Sequence, residues 1–238
     1  MKGTKNPISF FKTMKYRKTH KNKDFPYYGI QAFMGEFGSG KTLSAVKYCL
    51  DIFERYPKCI FITNTNILNV KNKTYFFDGA EKLTEILQEV LTEKNRDGYV
   101  IFMDEMHVVL SDLFSNSNPL FLAYLSQLRK LGIVIVGTCQ LYNKCPKVVR
   151  DYLRLSGQLI FCVRPFKLKG ITLNRYVDME TCQEMSNLKL DYKLHHIDWY
   201  FHTVELYESY DTTAVITQIK SIIKYKEGSV INGLPSYN

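Results

Sequence analysis

The chain has 238 residues, 45% of them hydrophobic, with six cysteines and a formal charge of +9. That length and apolar content suit one substantial buried core and fall short of two independent domains of ordinary size. The longest apolar runs, Tyr99–Met103 and Ile133–Val136, are far below the roughly 20 residues of a membrane-crossing helix, so they read as buried strands.

Residues 1–23 hold seven lysines and Arg17 with no acid, so this stretch carries +8 of the total and the remainder is nearly neutral. It lacks a sustained apolar core and a small-residue cleavage site, which argues against a secretory signal and for a cytoplasmic protein. It reads as a basic leader, residues 1–25, able to dock on nucleic acid, an anionic membrane surface, or a capsid or portal partner. Cys49, Cys59, Cys139, Cys145, Cys162 and Cys182 lie mostly inside apolar segments and form no C-x-x-C pair. Buried, reduced thiols are therefore expected in place of metal ligands or a disulfide framework.

Regular patterning begins after Pro26. Tyr27–Met34 is short and rich in aromatic and aliphatic residues, as a strand should be, and Leu43, Val46, Leu50 and Phe53 recur at helical spacing. Between them Gly35–Thr42 reads GEFGSGKT, which fits G-x-x-x-x-G-K-[ST] in the strand–turn–helix context that this motif requires. Gly35, Gly38 and Gly40 permit the backbone to close around an anion, and the Ser39 segment and helix start present N–H groups and a positive dipole end to it. Lys41 is expected on the β and γ phosphates of ATP, and Thr42 on Mg²⁺.

Residues 58–67 read as a second strand, and 79–92 as a helix with Leu83, Ile86, Leu87 and Val90 on one face. Tyr99–Met103 is an apolar strand that delivers Asp104 and Glu105 at its carboxyl end, where open α/β sheets bind ligands. Asp104 is expected to hold Mg²⁺ and Glu105 to polarise the water that attacks the γ phosphate. Asn118 and Pro119 mark a helix start continuing through Lys130. The strand over 132–139 then ends at Gln140, a candidate sensor of the γ phosphate or the attacking water. Strands alternating with helices imply a mostly parallel sheet covered on both faces. Beyond Leu155 three further strands are expected, over 156–166, 170–179 and 196–206, some antiparallel, and then a basic amphipathic helix beginning at Asp211. One P-loop domain over 26–238 is expected, with a core at 27–165 and an addition at 166–238.

GEFGSGKTLSAV, ITNTN, VIFMDEMH and QLRKLGIVIVGTCQ together resemble the FtsK–HerA superfamily of P-loop ATPases, of RecA-like fold. Within it they are most similar to zonular occludens toxin-like proteins and to phage and viral packaging ATPases. The resemblance covers residues 27–155, and its most specific part is the strand ending in Gln140 after the Arg-Lys-Leu-Gly turn. It implies a homo-oligomeric ring, commonly a hexamer, that hydrolyses ATP between subunits and moves double-stranded DNA without reading its sequence. It also implies an arginine finger, for which Arg129 is the first candidate and Arg150 and Arg154 the next. Residues 108–118 and 144–147 are the candidate DNA-contacting loops.

A packaging or DNA-moving motor is the leading expectation, located in a host cytoplasm, in association with virions or at a membrane periphery. No transmembrane helix follows the ATPase core, unlike in many toxin-like assembly proteins, which weighs towards the packaging motor. The alternatives are a toxin-like ATPase for virion assembly or export at a membrane, and a small-molecule kinase or nucleotide switch.

Overall fold

The computed structural model describes residues 25–93, 96–115, 119–184 and 190–210. Residues 1–24 of the basic leader, the Asn118 cap and the helix expected from Asp211 lie outside the described residues.

Eight strands form one sheet, in the order β10-β7-β6-β1-β5-β4-β2-β3. They are β1 (Gly29–Met34), β2 (Ile60–Thr63), β3 (Thr74–Phe76), β4 (Tyr99–Met103), β5 (Ile133–Cys139), β6 (Gln158–Val163), β7 (Ile171–Val177) and β10 (Leu194–Phe201). The six strands from β6 to β3 run parallel, while β7 and β10 are antiparallel additions at one edge. A small hairpin of β8 (Gln183–Glu184) and β9 (Leu190–Asp191) stands apart. The helices are α1 (Lys41–Arg55), α2 (Ala80–Val90), α3 (Met106–Ser115), α4 (Pro119–Ser126), α5 (Leu128–Leu131), α6 (Lys147–Ser156) and α7 (Val204–Glu208).

The central strands are wholly buried, and the period-two alternation of a strand sends their side chains to two separate cores. Ile30, Ala32, Met34, Ile101, Met103, Ile133 and Ile135 pack with Leu83 and Leu87 of α2, Leu110 of α3 and Leu153 of α6. Phe33, Val100, Phe102, Val134 and Val136 face the other way, onto Val46, Cys49, Ile52 and Phe53 of α1. The chain leaves α1 because Tyr56 precedes Pro57, and the residue before a proline is driven from helical torsions. Tyr56 stands at φ −131 and still donates its N–H to Ile52 O at 2.8 Å. All six cysteines are buried and free. Among the described residues no helix is long and apolar enough to cross a membrane.

Several boundaries differ from expectation. The polar stretch after residue 67 contains β3, whose Phe61↔Thr74 register on β2 extends the sheet at its far edge. The single helix expected from Pro119 to Lys130 is broken at Gln127 into α4 and α5. The strand expected over 196–206 stops at Phe201, and Val204–Glu208 form α7, capped by Thr203 accepting from Leu206 N. Within 108–118, Val108–Ser115 is not a loop but part of α3, because Leu110 and Leu113 are claimed by the core.

Candidate active site

All parallel strands point their carboxyl ends at one edge of the sheet, and topology puts three polar tips side by side there. The order β1-β5-β4 sets the tip of β5 between the loop after β1 and the acids after β4. Such a crevice beyond the carboxyl ends is where open α/β folds bind ligands.

The loop Gly35–Gly40 is a turn shaped for an anion. Gly40 stands at φ 93, and a Cβ there would collide with Thr172 Oγ1. A Cβ on Gly35, at φ 149, would meet the Cys162 carbonyl oxygen and Ser39 Oγ. Only glycine fits both torsion and space at these points. Helix α1 has no side-chain cap, so the N–H groups of its first turn lack intrahelical partners and are free to bind an anion. Ser39 Oγ is buried and has no hydrogen-bond partner among the described residues. Lys41 is 8% exposed and folds back to donate to Glu36 O at 3.1 Å. Its ammonium is thereby held at the mouth of the loop.

Opposite, Asp104 and Glu105 are gripped from both neighbouring strands. Thr42 Oγ1 donates to Asp104 Oδ1 at 3.3 Å, and Thr138 Oγ1 donates to the same oxygen at 2.6 Å. Asn64, just past β2, accepts from Asp104 N at 2.9 Å and donates to Asp104 O at 3.0 Å. Tyr210 OH donates to Asp104 Oδ2 at 2.9 Å. Burial raises the Tyr210 pKa well above the usual phenol range, and the Asp104 charge raises it further, so the hydroxyl keeps its proton. Glu105 has left-handed torsions, φ 51, which cost a non-glycine residue free energy and aim its side chain away from the strand line. Its N–H donates to Thr138 Oγ1 at 2.9 Å, and Gln140 Nε2 donates to its Oε1 at 3.3 Å. His107 Nδ1 lies 3.3 Å from Oε2, out of line for a hydrogen bond, and neither atom has another partner among the described residues.

The donor set fits both ligands. A triphosphate suits a glycine cradle with free N–H groups and one lysine. Thr42 Oγ1 and the Asp104 carboxylate are hard oxygens in contact, and Mg²⁺ takes one or two such protein ligands beside waters and phosphate oxygens.

Structure thus brings Gly35, Gly38, Ser39, Gly40, Lys41, Thr42, Asp104, Glu105 and Gln140 into one crevice. Arg129 is elsewhere. It sits on α5 ahead of β5, with its guanidinium 5.5 Å from the Tyr28 ring at the start of β1. By strand rise this is roughly 20 Å from the crevice, so within its own chain it does not reach the site. Arg154 is exposed on α6, and Arg150 lies 5.8 Å over the Tyr142 ring. Three neighbours of the site escaped sequence reading: Asn64, Tyr210 and Arg164, the last with its guanidinium about 3.6 Å from where a Gly38 Cβ would stand. Asn64 ends an apolar strand as a polar residue, and that position was its signal, while Thr138 is part of the polar tip expected at the end of the strand that leads to Gln140.

This fold and crevice define a P-loop nucleotide-hydrolysing protein. Residues 32–162, more than half of the chain, match the AAA family, ATPases associated with various cellular activities, and the chain belongs to that family. It is a nucleotide-binding ATPase. No curated protein matches it in sequence. Among solved structures it is similar to the ATPase domain of G40P, at 10% identity and TM-score 0.45, covering 73% of this chain and 91% of that one. The DNA-packaging ATPase B204 from Sulfolobus Turreted Icosahedral Virus is similar at 12% identity and TM-score 0.46, over 71% of this chain and 98% of that one. The cytoplasmic domain of the type VII secretion ATPase EccC of Thermomonospora curvata is similar at 14% identity and TM-score 0.47, over 74% of this chain and 24% of that one. Likenesses this distant carry no weight below.

Proposed function

We propose that the protein is an ATP-driven motor that moves double-stranded DNA through a homo-oligomeric ring, in packaging or transfer of a viral or mobile genome. The observation that carries the reading is the Gln140–Glu105 hydrogen bond, because it ties the hydrolytic carboxylate to the strand that leads into a basic surface segment. Directly after Gln140 come Leu141 and the short 3-10 turn Tyr142–Lys144, then α6, with Lys144 and Lys147 exposed. The DNA substrate rests on the resemblance of residues 27–155 to packaging ATPases.

In this mechanism the loop N–H groups seat the phosphates, and Lys41 exchanges Glu36 O for the β and γ oxygens. Thr42 and Asp104 would hold Mg²⁺, which would supply positive charge to offset that of the phosphates. Glu105 takes a proton from water while the water oxygen joins the γ phosphorus and ADP leaves with the bridging oxygen. Gln140 is shared between Glu105 and the γ phosphate, so its bonding differs before and after cleavage. That difference reaches Lys144 and Lys147 through the turn, and those lysines grip phosphates without reading bases. Arg129, remote from its own site, serves a neighbour's nucleotide across the ring interface.

The test is ATP hydrolysis with and without double-stranded DNA, beside sedimentation of the protein with nucleotide. DNA stimulation by an oligomer, lost as salt rises, supports the motor. Hydrolysis indifferent to DNA, with liposome binding that needs residues 1–23, would replace it with export at a membrane. Hydrolysis by a monomer, with no dependence on oligomer formation, would replace it with a kinase or nucleotide switch.

A further inference from the structure

Beside the glycine loop and the tip of β5 lies a hollow of about 710 Å³, well inside the range of ligand pockets. Part of its lining is sheet. Antiparallel pairing sets Phe161 opposite Arg175 and Val163 opposite Leu173, and paired residues share a face, so Phe161, Val163 and Arg175 point the same way. That face is turned away from α1, because Phe161 packs with the core that holds α2 and α6. Tyr192 stacks on Phe161 at 5.1 Å. Lys167 comes from the turn Pro165–Lys167 that follows β6, where Phe166 and Lys167 both take left-handed torsions, φ 51 and 58. Two such torsions in succession cost non-glycine residues free energy, and strain of this kind collects where a side chain is held for a ligand.

Three cations line this hollow, Arg164, Lys167 and Arg175, against one acid, Glu36. Arg164 Nε is buried with no hydrogen-bond partner among the described residues, a donor placed for an acceptor from outside the chain. Planar guanidinium groups suit phosphate oxygens. Charge alone would fit any polyanion, and the rings narrow the choice. Phe37 projects from the glycine loop 84% exposed, and with Tyr192 it offers flat apolar faces beside the cations. Cations interleaved with rings hold a single nucleic-acid strand, its phosphates on the cations and its bases on the rings. An acidic peptide would leave the rings idle. A duplex is too wide to enter, since a hollow of this volume is roughly 9 Å across, narrower than the major groove alone at about 12 Å.

We propose that this hollow grips one unpaired strand of nucleic acid, with Arg164, Lys167 and Arg175 on its phosphates and a base against Phe37 or Tyr192. The proposal deepens the DNA-motor reading and rests on it only for the choice of DNA as the polymer. Its test is fluorescence anisotropy of labelled oligothymidylate, of the same strand without bases, and of a duplex of equal length, each titrated with the full chain. Oligothymidylate should bind about 10-fold tighter than the abasic strand. Lys167→Ala with Arg175→Ala should weaken oligothymidylate about 10-fold and make its salt dependence shallower by about 1.4 in log affinity against log salt, the share of two phosphate contacts. Duplex binding and AMP-PNP affinity should not change. Lys167→Glu, at an exposed position, gives the same reading where the double variant does not fold. Equal affinity for the strands with and without bases, an oligothymidylate affinity that the substitutions leave alone, a loss shared equally by the duplex, or a parallel fall in AMP-PNP affinity would each overturn the strand site. Hydrolysis stimulated by duplex alongside any of these would leave the motor standing, whereas strand binding as expected without duplex stimulation would overturn the motor and leave the strand site.

Discussion

Thr138 Oγ1 donates to Asp104 Oδ1 at 2.6 Å and accepts from Glu105 N at 2.9 Å, so one hydroxyl on β5 sets the position of both acids that follow β4. Thr138 is 1% exposed, and water cannot replace it cheaply. Thr138→Val keeps the shape and removes both bonds. It should cost about 1–3 kcal/mol of stability, the penalty for buried groups left unpaired, and slow hydrolysis about 10-fold through misplaced carboxylates. Urea unfolding and steady-state ATPase rates check the two effects separately, and unchanged values in both would remove Thr138 from the account.

Glu105→Gln preserves volume and the reach to Gln140 while abolishing the proton acceptor. Hydrolysis should fall about 10²–10⁴-fold with ATP affinity kept within a few-fold. A variant that hydrolyses at the parental rate would place the base elsewhere. Lys41→Ala should instead lose nucleotide binding itself, read by equilibrium binding.

Gly40→Ala drives a methyl group into Thr172 Oγ1 at a left-handed position. The loop must open to accept it, so nucleotide binding should drop at least about 10-fold even where the protein still melts cooperatively. The companion Gly79→Ala, with no atom within 4 Å of the added methyl, should bind normally.

Arg129 rests on Tyr28, so Arg129→Ala has a structural effect of about 0.5–1 kcal/mol, the range for an exposed cation–π contact. A finger acting in trans predicts far more: near-complete loss of hydrolysis, partly restored on mixing with Lys41→Ala subunits. Absence of rescue at every mixing ratio would move the role to Arg150 or Arg154.

Burial pushes the thiols of Cys59 and Cys162 up to about 12, against about 8.5 in an unfolded chain. Between those limits the unfolded chain has released protons that the folded chain retains. Stability is therefore full below about pH 8.5 and declines from there towards pH 12. Tm at pH 10 should lie below Tm at pH 7.5, and the gap should narrow in Cys162→Ala.

The residues that the structure brings together at the crevice are legible in the sequence because they fall in contiguous stretches. GEFGSGKT is one loop, and YVIFMDE is one strand with its tip, so residue type and spacing carry the information. The partners that orient those groups are not contiguous. Asn64 lies 40 residues from Asp104, Thr138 lies 34 away and Tyr210 lies 106 away, and a threonine or asparagine at a strand end looks the same whether it faces solvent or a carboxylate. β3 was illegible for a related reason: its burial pattern is exposed, half-buried, exposed, so it carries no apolar alternation. Arg129 lies in the motif that carries the family resemblance, yet motif position says nothing of which end of a strand a residue occupies.

Local chemistry alone determined that this chain builds strand–turn–helix units, closes a glycine turn over Gly35–Thr42 and aims two acids from an apolar strand. Strand order was decided by packing. Insertion of β5 between β1 and β4 depends on which buried faces fit together across the whole sheet, and that choice brings Gln140 and Thr138 to the acids and leaves Arg129 at the far end.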